Sequence, residues 1–376
     1  MRKLFGSKAY LVVLAVVFLS LTLVFAGCGS NDPAPSNNGD NNTGDDNGDG
    51  AVLDRKIEQK FASEEIEGDF MTVWAEKYAD EMYEWSDGMF DVTVYPYGTL
   101  GDTRDINELA QLGIVEYVFS DFAWISAFVP EAQVLALHYI WPEERLPEVI
   151  DWVVRNGDSM DILEESFRRN GLVPLSIMYE GWQWVTADRP IRTMADMQGF
   201  DVRIMGSALL NENYRAYGAS PTAMAYGEVY GGLQQGLIDG QINPLFAIRS
   251  MNFYDVQDYF TQIYAEPFLG IPTVNMQFFD SLPEEVQQKM REFWVDAIIP
   301  SGEWIDERTT EDLAAMQEER PEIEVIELSK EEVAEFKETA KTIYPKFVEI
   351  GGPQAEEILE ALQNDIEQAK AALGIE

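Results

Sequence analysis

Apolar residues recur at two different spacings along this chain, which predicts strands alternating with amphipathic helices. Polar and apolar positions alternate over residues 91–95, as in a strand, whereas residues 70–85 show the spacing of a helix. The same reasoning predicts strands at 56–62, 115–120, 172–179, 184–186 and 201–205, and helices at 103–112, 207–217 and 228–235. Such alternation is typical of an α/β architecture with open sheets, which bind ligands beyond the carboxyl ends of their strands.

The last third of the chain is predicted to be mostly helical. Residues 283–319 carry apolar side chains at helical spacing. After Pro283 their only proline is Pro300, so they are expected to form one long or kinked helix. The acidic tail at 330–373 is also expected to be helical, with a break at Gly351-Gly352-Pro353.

Composition narrows the class of partner. The 376 residues are enough for two domains and include 46% hydrophobic residues, so a folded core is expected. Asp and Glu total 67 against 26 Lys and Arg, a formal net charge of −41. This surplus of negative charge makes nucleic acid and anionic membranes poor partners.

The first 50 residues resemble an export signal and a tether. Arg2, Lys3 and Lys8 precede an uncharged apolar run at 9–25, and Cys28, the single cysteine, follows small residues. Residues 1–27 are therefore predicted to be a lipoprotein signal peptide, and residues 28–50 a lipidated Cys28 followed by a disordered linker. The alternative is an uncleaved anchor helix. Either way the mature chain is expected to be extracytoplasmic and attached to the membrane.

The inventory of reactive side chains does not favour an enzyme. There is one Cys and one His, and no glycine-rich phosphate loop, so no cofactor and no metal are expected. A secreted hydrolase with a pair of carboxylates stays open, because such pairs meet without a fixed sequence spacing. The nine Trp residues leave a second alternative, a sugar-binding lipoprotein of a primary (ABC) transporter.

Several motifs, in order, resemble the DctP-type solute-binding proteins of tripartite ATP-independent periplasmic (TRAP) transporters. The first half contains YPYGTLG at 95–101, followed by residues 105–113. The second half contains PIRTMADMQGFDVR at 190–203, GASP at 218–221, EVY at 228–230 and LQQGLIDGQINP at 233–244. The resemblance covers the chain from about residue 56 to its end.

The resemblance implies two α/β domains of the periplasmic-binding-protein type, with a long helix that spans both. By analogy, the first domain comprises 51–179 plus 268–312, and the second 180–267 plus 313–376. Such a protein captures a small organic carboxylate by hinge closure and delivers it to membrane permease subunits.

The resemblance also assigns candidate ligand contacts. Arg203 aligns with the arginine that grips the ligand carboxylate, a role suited to its planar, permanently charged guanidinium. Asn243 aligns with a second carboxylate contact. In the first domain, loops at 63–67 and 120–124 are expected to contribute, with Phe122 and Trp182 as apolar walls. His138 is expected to be structural, because no metal-ligand partners flank it.

Gln183 is a departure from the family pattern. Many similar proteins have a second arginine at this position. Glutamine can also donate and accept hydrogen bonds, but it carries no positive charge. A second carboxylate would then be buried without a countercharge, which is costly. The sequence therefore predicts a monocarboxylate, such as a hydroxy or keto acid, in preference to a succinate-like diacid, with a metal-assisted site ranked second.

Overall fold

The computed structural model describes residue 53 and residues 55–375, which form two separate β-sheets of six strands each. The strands are β1 (Ile57–Ser63), β2 (Phe90–Tyr95), β3 (Tyr117–Asp121), β4 (Leu172–Pro174), β5 (Met178–Trp182), β6 (Trp184–Ala187), β7 (Asp201–Ile204), β8 (Ser220–Ala223), β9 (Gly240–Asn243), β10 (Tyr259–Gln262), β11 (Pro267–Asn275) and β12 (Glu324–Glu327).

Helices surround both sheets. They are α1 (Phe70–Trp85), α2 (Thr103–Gln111), α3 (Phe122–Ile125), α4 (Leu146–Asn156), α5 (Asp158–Arg169), α6 (Ala208–Ala216), α7 (Val229–Gln234), α8 (Leu245–Ser250), α9 (Met276–Asp280), α10 (Glu284–Asp296), α11 (Ile298–Glu319), α12 (Lys330–Ala340), α13 (Tyr344–Ile350) and α14 (Ala355–Leu373). The predicted long helix is thus a bent one, because α10 and α11 meet at Ala297.

The first sheet has the strand order β2-β1-β3-β11-β4, and β5 also pairs with β11. Strand β1 runs parallel to β2 and β3, whereas β11 runs antiparallel to β3, β4 and β5. Every residue of β11 is buried, as expected for a central strand covered on both faces. The single strand predicted at 172–179 is two short strands here. Pro174, which has no backbone N–H, ends the first of them.

The second sheet has the order β12-β10-β6-β9-β7-β8. Strands β7, β8 and β9 are parallel, and β6 runs antiparallel to β9 and β10. Asn243 is the last residue of β9 and pairs with Trp184. We call the elements built on the first sheet the first lobe and those built on the second sheet the second lobe.

An aromatic cluster forms the core of the first lobe. The side chain of Trp294 on α10 is completely buried and stacks on Tyr78 of α1, with ring centroids 5.4 Å apart. Phe119 of β3 meets the same indole edge-on at 5.1 Å. Helix α10 is therefore anchored to the sheet and to α1, which fixes the start of the bent helix.

Two chain segments cross between the lobes side by side. The first joins β5 to β6 through Gln183, and the second joins β10 to β11 through Glu266. The backbone N–H of Gln183 donates to the carbonyl of Glu266 at 3.2 Å, which ties the two segments together. Helix α11 also bridges the lobes, because it packs against β5 and against α8. The exact domain boundaries at 179, 267 and 312 stay a prediction.

Candidate functional site

A small cavity lies between the two lobes, at the carboxyl ends of several strands. Side chains of both lobes line it, so a small solute held there would contact both lobes at once. The side chains around it are Glu64, Glu65, Trp124, Arg203, Met205, Tyr226, Asn243, Ala247 and Phe268. A larger groove runs along α4 and α10, but no strand ends there.

Arg203 supplies the positive charge among the cavity-lining side chains. It lies on β7 and is only 1% exposed. Its Nε donates to the carbonyl of Met224 at 3.1 Å, which holds the guanidinium in place, while Nη1 has no protein partner among the described residues. Burial lowers the pKa of Arg203 to about 10, so it is still charged at neutral pH. The arrangement leaves a fixed, desolvated donor for an anionic group.

Asn243 faces the same cavity from the adjacent strand β9. Its amide nitrogen donates to the side-chain oxygen of Gln241, and Gln241 in turn donates to the Thr186 hydroxyl at 3.0 Å. This relay fixes the orientation of the Asn243 amide. Arg203 and Asn243 are brought together because β7 and β9 are parallel neighbours with Arg203 opposite Gln241.

Two glutamates face Arg203 from the first lobe. Glu64 and Glu65 directly follow β1, and both line the cavity. One oxygen of Glu64 accepts from the Ser120 hydroxyl at 2.6 Å and from the backbone N–H of Asp121 at 2.9 Å. Burial raises the pKa of Glu64 well above its usual range. The cavity is thus bipolar, with a cation on one lobe and carboxyl groups on the other.

Asp121 positions the aromatic wall beside these acids. Its Oδ1 accepts from the backbone N–H groups of Ala123 and Trp124, both at 2.7 Å, and so caps the short helix α3. Burial raises the pKa of Asp121 to about 6, because desolvation outweighs these hydrogen bonds and the nearby charge of Arg203. The cap holds the Trp124 indole against the cavity.

The comparison with protein families decides the class of the chain. A family model described as bacterial extracellular solute-binding protein, family 7 (DctP) matches residues 61–350. The chain belongs to the DctP family. The motif-based interpretation as a solute-binding protein of a TRAP transporter is therefore confirmed.

Individual DctP relatives are similar over most of their length. The ectoine-binding periplasmic protein TeaA of Halomonas elongata is 33% identical over 312 residues, which cover 83% of this chain and 91% of the relative. The ectoine/5-hydroxyectoine-binding periplasmic protein UehA of Ruegeria pomeroyi is 32% identical over 307 residues, covering 82% and 90%. A solved structure of the Halomonas elongata ectoine-binding protein superposes with a TM-score of 0.78 over 83% of this chain and all of that chain. These similarities confirm the two-domain α/β fold.

The other sequence-predicted residues of this DctP protein lie away from the cavity lining. Phe122 is completely buried in the core, whereas Trp124, two positions later, lines the cavity, because such positions point to nearly opposite sides of a helix. Trp182 lies in a surface groove with Tyr179 and Asp306 and meets Tyr264 edge-on at 5.6 Å. Of these three aromatic side chains, only Trp124 is in the cavity lining.

Gln183 is in the hinge rather than in the cavity lining. Its side chain is 3% exposed, and neither atom of its amide has a hydrogen-bond partner in the described part of the chain. Cys28 and the predicted signal peptide and linker, 1–50, lie outside the described residues. Their roles, like those of Arg203 and Asn243, stay predictions.

His138 lies in a buried polar cluster next to the hinge. Its Nδ1 is 2.8 Å from the Tyr217 hydroxyl, and its Nε2 is 3.4 Å from a carboxylate oxygen of Glu266. Burial raises the pKa of Glu266, and the interaction with His138 opposes this rise. These contacts connect the second crossing segment to α6, which fits the structural role expected for His138.

Sequence reasoning reached the loops of the site but missed several side chains. Glu64 and Glu65 fall within the predicted loop at 63–67, and their position directly after a strand is the signal that could have selected them. Tyr226 and Phe268 had no such signal. Phe268 lies on β11, a strand that the apolar pattern does not predict. Tyr226 lies in a single 3-10 turn.

Two further properties concern only residue 53 and residues 55–375. None of the helices there is both long and apolar enough to cross a membrane. No group of three or more His, Cys, Asp or Glu side chains is arranged there to hold a metal ion.

Proposed function

We propose that this protein is the extracytoplasmic solute-binding subunit of a TRAP transporter that captures a small zwitterion with one carboxylate and one cationic group, of the ectoine class. The observation that carries the proposal is the bipolar cavity, in which Arg203 faces Glu64 and Glu65 across the cleft. The relatives named for ectoine support the same class.

Arg203 and Asn243 would bind the carboxylate. The unpartnered Nη1 of Arg203 offers a charge-assisted hydrogen bond, and Asn243 offers an amide from the neighbouring strand. Both groups are oriented before the solute arrives, which lowers the entropy lost on binding.

Glu64 and Glu65 would bind the cationic part. Ectoine is a cyclic amino-acid derivative whose positive charge is delocalised over two ring nitrogens. Carboxyl oxygens accept hydrogen bonds from such nitrogens, and the rings of Trp124 and Phe268 suit the flat faces of a delocalised cation. A simple hydroxy or keto acid would leave these acids without a positive partner.

The proposed solute has one carboxylate, as the sequence predicts, but it also carries a cationic group. The cavity lining includes a single arginine, so one carboxylate is matched and a second would lack a countercharge. The solute itself is expected to carry a cation as well, which the pattern around Gln183 did not predict.

Capture would proceed by closure of the two lobes about the paired crossing segments. The side chains on both lobes contact one solute, so its binding favours the closed state. The closed protein would then deliver the solute to the membrane subunits. Lipidation of Cys28 would keep it near them.

Isothermal titration calorimetry of the purified protein with ectoine tests this assignment through matched variants. Arg203→Ala removes the countercharge of a buried carboxylate, and such a truncation typically costs about 2 to 5 kcal/mol of binding free energy. The affinity for ectoine should therefore fall at least about 30-fold. Glu64→Gln removes a carboxyl that can ionise beside the solute cation, and should weaken ectoine binding about tenfold. The control is Arg215→Ala, which removes an exposed arginine of α6. Unchanged ectoine affinity in a folded Arg203→Ala protein would refute the site.

A further inference from the structure

Four carboxyl groups are buried around the single guanidinium of the cavity. The residues Glu64, Glu65, Asp121 and Glu180 are 7%, 4%, 0% and 0% exposed. Four negative charges cannot all be compensated by Arg203 in a desolvated interior. At least one of these groups therefore holds a proton at neutral pH.

Glu180 is the group with the fewest hydrogen-bond donors. Among the described residues, no N–H or O–H donates to either of its carboxyl oxygens. The carboxyl packs on bare backbone of β11, since a Cβ added to Gly270 would lie 2.0 Å from its Oε1. An ionised Glu180 would thus be an unpaired buried charge, which is unfavourable by far more than an ordinary polar mismatch.

Glu65 is the side chain that can accept a hydrogen bond from a protonated Glu180. Its Oε2 accepts from the backbone N–H of Met71 at 2.6 Å, while its Oε1 has no donor in the described chain. A Cβ at Gly270 would meet both the Glu180 carboxyl and the side chain of Met71, whose backbone N–H binds Glu65, so the two acids approach the same point of β11. After burial, the charge of Glu65 is the largest influence that raises the pKa of Glu180. A proton on Glu180 would give the unpaired Oε1 of Glu65 a hydrogen-bond donor.

We infer that Glu180 is a protonated acid that donates a hydrogen bond to Glu65 and thereby positions Glu65 for the cationic part of the solute. Glu180 does not line the cavity, so it acts through Glu65 as a positioning residue. The inference rests on the proposed function for its solute, but the proton on Glu180 does not depend on it.

The charges around Glu180 favour its protonated form. Glu180 is also influenced by Glu64 and Asp121, both negative when ionised. Glu65 is influenced by Asp69 and Arg308, which form an ion pair with each other at 2.8 Å. Asp69 also accepts from the Ser250 hydroxyl at 2.7 Å, and this hydrogen bond and the ion pair with Arg308 oppose the rise that burial causes in its pKa. Among the described residues, no cation lies in contact with Glu180 to stabilise its ionised form.

The arrangement predicts that solute binding releases a proton. Burial raises the pKa of Glu65 to about 8, so this carboxyl is largely protonated at neutral pH. A cation placed beside Glu65 favours its ionised form, and the proton leaves to the buffer while Glu180 keeps its own. Ectoine binding should then release up to about one proton and strengthen as pH rises from 6 to 8.

An infrared measurement tests the proton on Glu180 without any solute. The folded protein at neutral pH should show the C=O stretching band of a protonated carboxyl. Glu180→Gln should reduce this band, and Glu84→Gln, at an exposed position of α1, should leave it unchanged. Absence of the band in the wild-type protein, or an unchanged band in Glu180→Gln, would overturn the inference.

Calorimetry with ectoine, in two buffers of different ionisation enthalpy, tests the positioning role. Glu180→Gln keeps a donor toward Glu65 and should bind within about threefold of wild type, whereas Glu180→Leu lacks one and should bind about tenfold more weakly. Glu65→Gln should reduce the number of protons released. Failure of the wild-type protein to bind ectoine would count against the proposed function only, because the infrared band is independent of it. Equal affinity of the Gln and Leu variants would contradict the positioning role.

Discussion

The hydroxyl of Tyr97 in the first lobe accepts a hydrogen bond from the backbone N–H of Gly227 in the second lobe at 3.1 Å. The Tyr97 ring also meets the Tyr226 ring edge-on, with centroids 5.7 Å apart. Since Tyr226 lines the cavity, this contact links the closed arrangement of the lobes to the wall of the site. Tyr97 lies just after β2, in the motif that resembles the family.

Removing this hydroxyl should weaken solute binding without altering the cavity itself. Tyr97→Phe keeps the ring against Tyr226 but loses a hydrogen bond worth about 0.5 to 1.5 kcal/mol, so affinity for ectoine should fall about two- to tenfold through a less populated closed state. The control is Tyr95→Phe, at a hydroxyl that makes no hydrogen bond to any residue that the structure describes. Calorimetry that finds Tyr97→Phe equal to this control would rule out a closing role for Tyr97.

A glycine opposite Trp124 should be essential for tight closure. A Cβ at Gly206 would lie 2.6 Å from Cζ3 of the Trp124 ring, so Gly206→Ala should push the indole into the cavity and reduce ectoine affinity at least about tenfold. At Gly231 on α7, a Cβ would meet only the Gln235 amide, at 3.6 Å, so Gly231→Ala is the matched control. Equal affinities of the two alanine variants would contradict the proposed packing.

The buried acids should make the protein less stable in alkaline solution. The pKa of Glu65 is about 8 in the folded chain, above its usual value, and burial raises the pKa of Glu180 as well. A group with a raised folded pKa contributes its full stability below its ordinary pKa and loses that contribution as pH rises through the folded value. The urea midpoint should therefore decline as the pH rises from about 4.5, the ordinary pKa of a Glu, to about 8. In Glu65→Gln the decline should be shallower, and an equal slope in both proteins would exclude Glu65 as a cause.

The motif string located Arg203 and Asn243 on the sequence, and both face one cavity because β7 and β9 are adjacent parallel strands. The acid pair could not be found that way. Glu65 follows β1 and Glu180 lies on β5, and they approach only through β11 and Gly270, which the apolar pattern did not mark as a strand. The sequence also could not show which of Phe122 and Trp124 lines the cavity, because a helix of four residues is too short to have a recognisable apolar period.

Cys28 is predicted to be the lipid-modified N terminus of the mature protein. The basic residues, the apolar run and the single cysteine motivate this expectation. Mass spectrometry of the membrane fraction should find a chain that starts at a lipidated Cys28, and Cys28→Ser should release the protein from the membrane. A mature chain that begins at Met1, or one with an unmodified Cys28, would exclude the anchor.

The preference for one carboxylate and one cation is the central claim, and a paired titration of the wild-type protein measures it most directly. Isothermal titration calorimetry would compare ectoine, lactate and succinate at neutral pH, each with and without a chelator. The predicted result is that ectoine binds most tightly, that lactate and succinate bind at least about tenfold more weakly for lack of a cation beside Glu64 and Glu65, and that the chelator has no effect. Succinate binding as tight as ectoine binding would contradict the charge argument, and loss of ectoine binding on chelation would establish a metal-assisted site instead.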